Sequence, residues 1–245
     1  MNIIQVGCHT GNDGVFSFAK ANQDKIKKLI LIDALASSVD LCEKFYAENL
    51  GEENLEKLVF IKKAIVGDST IKEIDFFVTK NEHEDDAEVG YTAFSSVDIK
   101  HLNGHNVKNI KKISVPTVTL NDIFKEHSLS RVDRLFLDAE GLDGIILLSL
   151  DLENTDIPFI CFEGAHIDGT FQGIQRKVFE QGSISNELFH KKLKPNGYEM
   201  FRVFLKDDSQ YDYNHWAIKS DKENLIGEIE ESFKHKNILI QKYNI

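Results

Sequence analysis

Ile3-Ile4-Gln5-Val6-Gly7-Cys8-His9-Thr10-Gly11-Asn12-Asp13-Gly14 runs from an apolar strand through a glycine-rich loop into a helix. Ile3 to Val6 is short and apolar, and the segment after Gly14 carries Val15, Phe16, Phe18 and Ala19 at helical spacing. Glycine lets a backbone turn tightly and approach a ligand closely, while the next helix offers free N–H groups. The same unit recurs downstream. Leu29 to Ile32 is a second strand ending on Asp33, followed by a helix with Leu41, Phe45 and Leu50 facing inward. Ser37 and Asp40 stand at capping-box spacing at its start. Leu58 to Ile61 makes a third strand ending near Ala64, Val132 to Leu137 a fourth and Ile157 to Phe162 a fifth. Tyr198 to Leu205 and His215 to Ile218 read as a closing antiparallel pair. Apolar runs alternating with helix-period segments predict an α/β fold built on a parallel sheet with crossover helices.

The remainder is less periodic. Ile74 to Val78 reads as an edge or hairpin strand, and Val115 to Thr119 leads into a short helix with Leu120, Ile123 and Phe124. Between them, an irregular insertion or lid is expected at about 80–112, where long loops are often functional. Its acidic run, Glu82 to Asp86, reads as a solvated loop, and His83, His101 and His105 as exposed loop residues. Phe171, Phe179 and Phe189 are expected to pack in the core, and the tail at about 221–245 to form a polar helix. With neither a repeat nor a linker, residues 1–245 are expected to form one domain.

Composition narrows the function. The 40 acidic and 29 basic side chains leave a net charge of −11, a field that repels phosphate backbones and argues against a nucleic-acid partner. Cys8, Cys42 and Cys161 are scattered and odd in number, so they read as small buried hydrophobes in a reducing compartment. The chain enters an apolar strand directly after Met1 and has no apolar run near the roughly 20 residues needed to cross a bilayer. A soluble cytoplasmic protein with no membrane partner is expected. No metal-ligand spacing stands out, so no metal is assigned.

Asp33 lies about twenty residues past the glycine loop, where a carboxylate can accept both ribose hydroxyls of an adenosine. The spacing Gly7-x-x-x-Gly11-x-x-Gly14 matches neither the dinucleotide fingerprint nor a Walker loop. No tyrosine has a lysine four residues on, as a short-chain reductase would be expected to supply. S-adenosyl-L-methionine is thereby the favoured cofactor. A nicotinamide-dependent reductase and a degenerate Rossmann-like binding domain without catalysis are the alternatives.

Val132-Asp133-Arg134-Leu135-Phe136-Leu137-Asp138-Ala139-Glu140-Gly141, preceded by Val115-Pro116-Thr117-Val118-Thr119-Leu120-Asn121-Asp122-Ile123, resembles the FkbM family of methyltransferases. The family's loop is matched by Gln5-Val6-Gly7-Cys8-His9-Thr10-Gly11, its Glu-Pro by Asp33-Ala34, and its next motif by Ala64 to Asp68. The resemblance covers roughly Ile3 to Trp216. Gln5 replaces an acidic residue that helps hold the cofactor's methionine end in such enzymes, Ala34 a proline and Phe136 a common lysine.

The resemblance implies a class I Rossmann-like fold. This is a mostly parallel seven-stranded sheet with helices on both faces and an antiparallel closing strand. It also implies O-methylation of a hydroxyl on a small or carbohydrate acceptor. Matched motif positions make Gln5, Gly7, Cys8, His9, Gly11, Asp33, Ala34, Ala64, Ile65 and Asp138 the expected cofactor residues. Ligands of open parallel sheets sit beyond the strands' C-terminal ends, which makes Asp138, Glu140, Glu163 and His166 candidate catalytic groups. A homodimer is among the states left open.

Overall fold

The computed structural model describes residues 1–79, 95–97, 99, 110–139, 141–163, 187–205, 214–227 and 238–243. The first half contains β1 (Asn2–Val6), α1 (Gly14–Ala21), β2 (Lys28–Asp33), α2 (Ala36–Leu50), β3 (Leu58–Lys62), β4 (Ala64–Ile65) and β5 (Glu73–Thr79). Then come β6 (Ser95–Ser96), β7 (Ile110–Val118), α3 (Leu120–Glu126), β8 (Arg134–Leu137), α4 (Asp143–Ser149) and β9 (Phe159–Glu163). The chain continues with β10 (Tyr198–Leu205), β11 (Asn214–Lys219) and β12 (Ile238–Lys242).

Among the described residues eight strands form the main sheet, in the order β12-β10-β11-β9-β8-β1-β2-β3. β3, β2, β1, β8 and β9 pair in parallel, while β11 is antiparallel to both β9 and β10. β10 therefore runs with the parallel set. The expected sheet of seven strands is corrected to a mixed sheet of eight, because β12 adds to the free edge of β10 with Ile240 opposite Val203. The end of the expected helical tail is corrected with it: 238–242 form a strand, while 225–227 are helical. Ile238-Leu239-Ile240 satisfies its backbone against an exposed strand edge, which a polar helix would leave unpaired. Residues 228–237 of that tail lie outside the described residues.

Side-chain alternation along the strands explains why the sheet needs cover on both faces. Ile3, Leu29, Leu31, Phe136 and Phe159 point to the side where α1 and α2 bring Val15, Phe16, Val39, Cys42 and Tyr46. Ile4, Val6, Ile30, Ile32, Leu135 and Ile160 point to the other, against Leu120, Ile123 and Phe124 of α3 and Ile146 and Leu147 of α4. Leu188 to Leu193, a single wide helical turn, completes that layer and places Phe189 in it, as expected for a core aromatic. Phe171 and Phe179 lie outside the described residues.

A second sheet, in the order β4-β7-β5-β6, was not expected. β5 pairs antiparallel with β7 from Glu73 opposite Pro116 to Thr79 opposite Ile110, so residues 110–112 belong to a strand rather than to an insertion. The rest of that insertion, apart from the short stretch at 95–97 and residue 99, is outside the described residues, with Glu82 to Asp86, His83, His101 and His105.

The expected capping box is corrected too. α2 begins at Ala36, which places Ser37 inside its first turn, and Asp40 pairs with Lys62 at 2.5 Å. Asp33, one strand end upstream, accepts the Leu35 amide instead.

Candidate functional site

β1 and β8 are neighbours, yet the chain leaves β1 toward β2 and leaves β8 toward β9. Such a reversal opens a crevice beyond the strands' C-terminal ends. Gly7 turns there with φ +76°, and its amide and that of Cys8 donate to the Ile32 carbonyl at 2.8 and 3.0 Å. The end of β8 lies so close that a Cβ on Gly7 would meet the Asp138 carbonyl oxygen at 2.1 Å. Only glycine fits this position. Gly11 closes the loop at φ +80° against Cys42 and Tyr46.

Two carboxylates organise the loop. Asp33 Oδ2 accepts the amide of His9 at 3.0 Å, and Oδ1 that of Leu35 at 2.9 Å. His9 is itself left-handed, at φ 43°. Asp13 caps α1: its Oδ1 accepts from Val15 N at 2.7 Å and Phe16 N at 3.0 Å, and its Oδ2 accepts from Gln5 Nε2 at 2.7 Å.

Asp13, Asp33 and Asp138 all line one cleft of about 320 Å³. Burial raises the Asp138 carboxyl above its ordinary range, and the nearby charges of Asp33 and Asp13 push the same way. Burial also raises Asp33, against which the Leu35 and His9 amides hold it down. Among the described residues none of the three carboxylates forms an ion pair. No group of three or more His, Cys, Asp or Glu side chains among them is placed to hold a metal ion.

Of the expected residues, Gly7, His9, Asp33, Ala34, Ala64, Ile65 and Asp138 line this cleft. Gln5 sits behind Asp13 rather than in the wall, and Gly11 packs against α2. Cys8 is fully buried beside Cys42, and burial pushes the Cys161 thiol up to about 12, which fits inert packing roles. Glu163 ends β9 opposite Asn214 and is not among the lining residues. Glu140 and His166 lie outside the described residues.

Sequence reasoning missed Leu35, Ser38, Lys63, Phe76, Ser95 and Leu142 in the wall, and the role of Asp13. Asp13 carried a usable signal, an aspartate directly before a helix. Phe76 and Ser95 carried none, since β5 and β6 bring them there. Asp143 was missed as well. It is wholly buried in the first turn of α4, and its Oδ2 accepts the Ala139 amide at 3.2 Å, bracing the turn after Asp138. Burial first, and Asp138 second, push its carboxyl up to about 7.

The parallel strands ordered β3-β2-β1-β8-β9, with a left-handed glycine turn and strand-end carboxylates at their reversal point, place the chain in the mixed α/β class with its cleft at a topological switch point. Residues 5–216 match the FkbM methyltransferase domain, and the chain belongs to that family. The crystal structure of methyltransferase FkbM from Methylobacillus flagellatus KT shares the fold at 6% identity and a TM-score of 0.51, covering 88% of this chain. This chain spans 43% of that protein's length. The methyltransferase domain of bacterial-CtHen1-CN aligns at 14% identity and a TM-score of 0.41, over 89% of this chain and 88% of its own. No curated protein matches the chain significantly. Among the described residues no helix is long and apolar enough to cross a membrane.

Proposed function

We propose that this chain is an S-adenosylmethionine-dependent O-methyltransferase acting on a hydroxyl of a small or glycan-like acceptor. The observation that carries the choice of cofactor is Asp13. In a dinucleotide-binding fold the pyrophosphate lies on the N-terminus of the helix after the glycine loop. Here that terminus is capped by a carboxylate, which occupies the Val15 and Phe16 amides and presents negative charge where phosphate would sit. Asp13, Asp33 and Asp138 outnumber the one lysine of the wall, Lys63, and a cleft with that balance suits a cationic nucleoside better than an anionic one.

The residues present fit such a group. Asp33 accepts the His9 amide on one oxygen and the Leu35 amide on the other, and a carboxylate has acceptor sites beyond these for ribose hydroxyls. Ala34, Leu35, Ala64 and Ile65 supply apolar wall around it. When bound, S-adenosylmethionine supplies an electrophilic methyl carbon on sulfur. The protein's share is to align an acceptor oxygen with that carbon and to take the hydroxyl proton. Asp138, with its raised carboxyl at the β1–β8 boundary, is the described group best suited to that proton. Asp143 keeps the backbone beyond it in place.

Calorimetry tests this directly. S-adenosylhomocysteine is expected to bind while NAD and NADP do not, and methyl from labelled S-adenosylmethionine should reach a hydroxylated acceptor. Binding of NAD without S-adenosylhomocysteine would favour a reductase. A folded protein that binds neither would leave only a non-catalytic role.

A further inference from the structure

We propose that Asp13 is the carboxylate that receives the primary ammonium of the cofactor's aminoacyl end, with Gln5 as its positioning residue. The proposal rests on the S-adenosylmethionine reading above.

The Gln5 side chain is nearly buried, at 5% exposure, and hydrogen-bonds across the loop to Asp13. A carboxylate only accepts, so Asp13 fixes which way the Gln5 amide points: Nε2 toward Oδ2 at 2.7 Å. Gln5 Oε1 is thereby left buried without a partner among the described residues. Leaving an acceptor orphaned in this way costs free energy unless a donor arrives. Oδ1 of Asp13 is committed to Val15 and Phe16, while Oδ2 has one lone pair taken by Gln5 and one free.

The carboxylate thus lines the cleft with an unused acceptor position, held from behind by Gln5, whose own oxygen is buried outside the wall. An ammonium brings three N–H donors and one positive charge, which suits this arrangement. A hydroxyl brings one donor and no charge, and a phosphate brings acceptors only.

The identity of Gln5 follows from the same geometry. An acid at this position would stand within hydrogen-bond distance of Asp13, and two like charges there could not both stay ionised. The pair therefore holds a single negative charge at this spot, carried by Asp13 from the cap of α1. Asp138 is left free for the acceptor, because the ammonium already has its partner.

The test uses two probes, S-adenosylhomocysteine, which carries the ammonium, and 5′-methylthioadenosine, the same nucleoside without the aminoacyl end. Asp13→Asn keeps a good helix cap, and Gln5 can reverse its amide to accept from the new Nδ2, so the fold should survive. By calorimetry the variant should lose about ten- to hundredfold in affinity for S-adenosylhomocysteine. Its affinity for 5′-methylthioadenosine should stay within about twofold, because no charged contact is removed from that ligand. The double variant Gln5→Glu/Asp13→Asn, which moves the charge back onto β1, should recover most of the loss.

An equal loss for both probes would give Asp13 a purely structural role and overturn the proposal. So would wild-type affinity for both. If the wild type binds neither probe, the cofactor reading falls and takes this proposal with it.

Discussion

A methyl group at Gly7 would collide with a backbone oxygen, whereas one at Gly197 would meet open space, although both glycines are left-handed. Gly7→Ala is expected to cost roughly 2–5 kcal/mol, about 1–2 for the conformation and about 1–3 for the collision. Gly197→Ala should cost only the first part. Urea unfolding of the two variants checks this, and equal losses would mean that the loop moves away from β8 without resistance. Asp143 makes a different kind of prediction. Its carboxyl is pushed up to about 7 in the fold and returns to about 3.9 in the unfolded chain. Below about pH 4 both states hold the proton, and between about 4 and 7 only the folded state does. Stability from this group is therefore lost as the pH rises through that window, and the full penalty applies above it. Asp143→Asn escapes the penalty. Its stability relative to wild type should climb by roughly 2–4 kcal/mol between about pH 4 and 8. Denaturant midpoints measured across that range decide it, and a difference that does not change with pH would place an ionised Asp143 in the core.

β12 is the element that makes the sheet eight-stranded, and its contribution can be removed cleanly. Without residues 238–245, Phe201 to Leu205 lose their pairing on one side, and Glu199 and Glu223 lose Lys242 as an ion-pair partner. The loss is expected to lower Tm by roughly 5–10 °C, the equivalent of about 2–3 kcal/mol in a chain of this size. Affinity for S-adenosylhomocysteine should be unchanged, since β12 lies at the sheet edge and the cleft at β1 and β8. A loss of binding at temperatures where the shortened protein is folded would show that the edge supports the site. β12 was hard to read because it is short and half exposed: three apolar residues, with Leu239 at 44% exposure, suit a strand or a helix end equally. The opposite holds for β2, where Leu29 to Ile32 are wholly buried, so that both faces of the strand are apolar and the run is continuous. Legibility of the cleft follows the same division. Gly7, Asp33 and Asp138 were found because each ends a strand of this buried kind. Glu163 also ends one, but β9 lies a strand beyond the β1–β8 boundary and pairs with β11 on its far side. Phe76 and Ser95 were invisible because β5 and β6 pair through contacts distant in sequence, which no local pattern encodes.

At the scale of the whole molecule, a net charge of −11 surrounds a cleft that already concentrates three carboxylates. That field favours cationic ligands; burial raises the carboxyls of both Asp33 and Asp138, carboxylate repulsion adds to it at Asp138, and a cation would offset both. A bound cation stabilises the ionised form of each, so both carboxyl groups should titrate lower in the complex than in the free protein. Wherever the free protein still holds part of a proton there, in the mildly acidic range above the ordinary aspartate value, binding must release it. Above that range both states are ionised and no proton moves. Calorimetry in two buffers of different ionisation enthalpy reads this release directly, at mildly acidic and at slightly alkaline pH. S-adenosylmethionine, with a sulfonium as well as an ammonium, should release more than S-adenosylhomocysteine, which has the ammonium alone. Equal release by the two would confine the effect to the aminoacyl end of the cleft. Proton uptake, or no dependence on buffer at mildly acidic pH, would mean that Asp33 and Asp138 do not face the charge of the ligand.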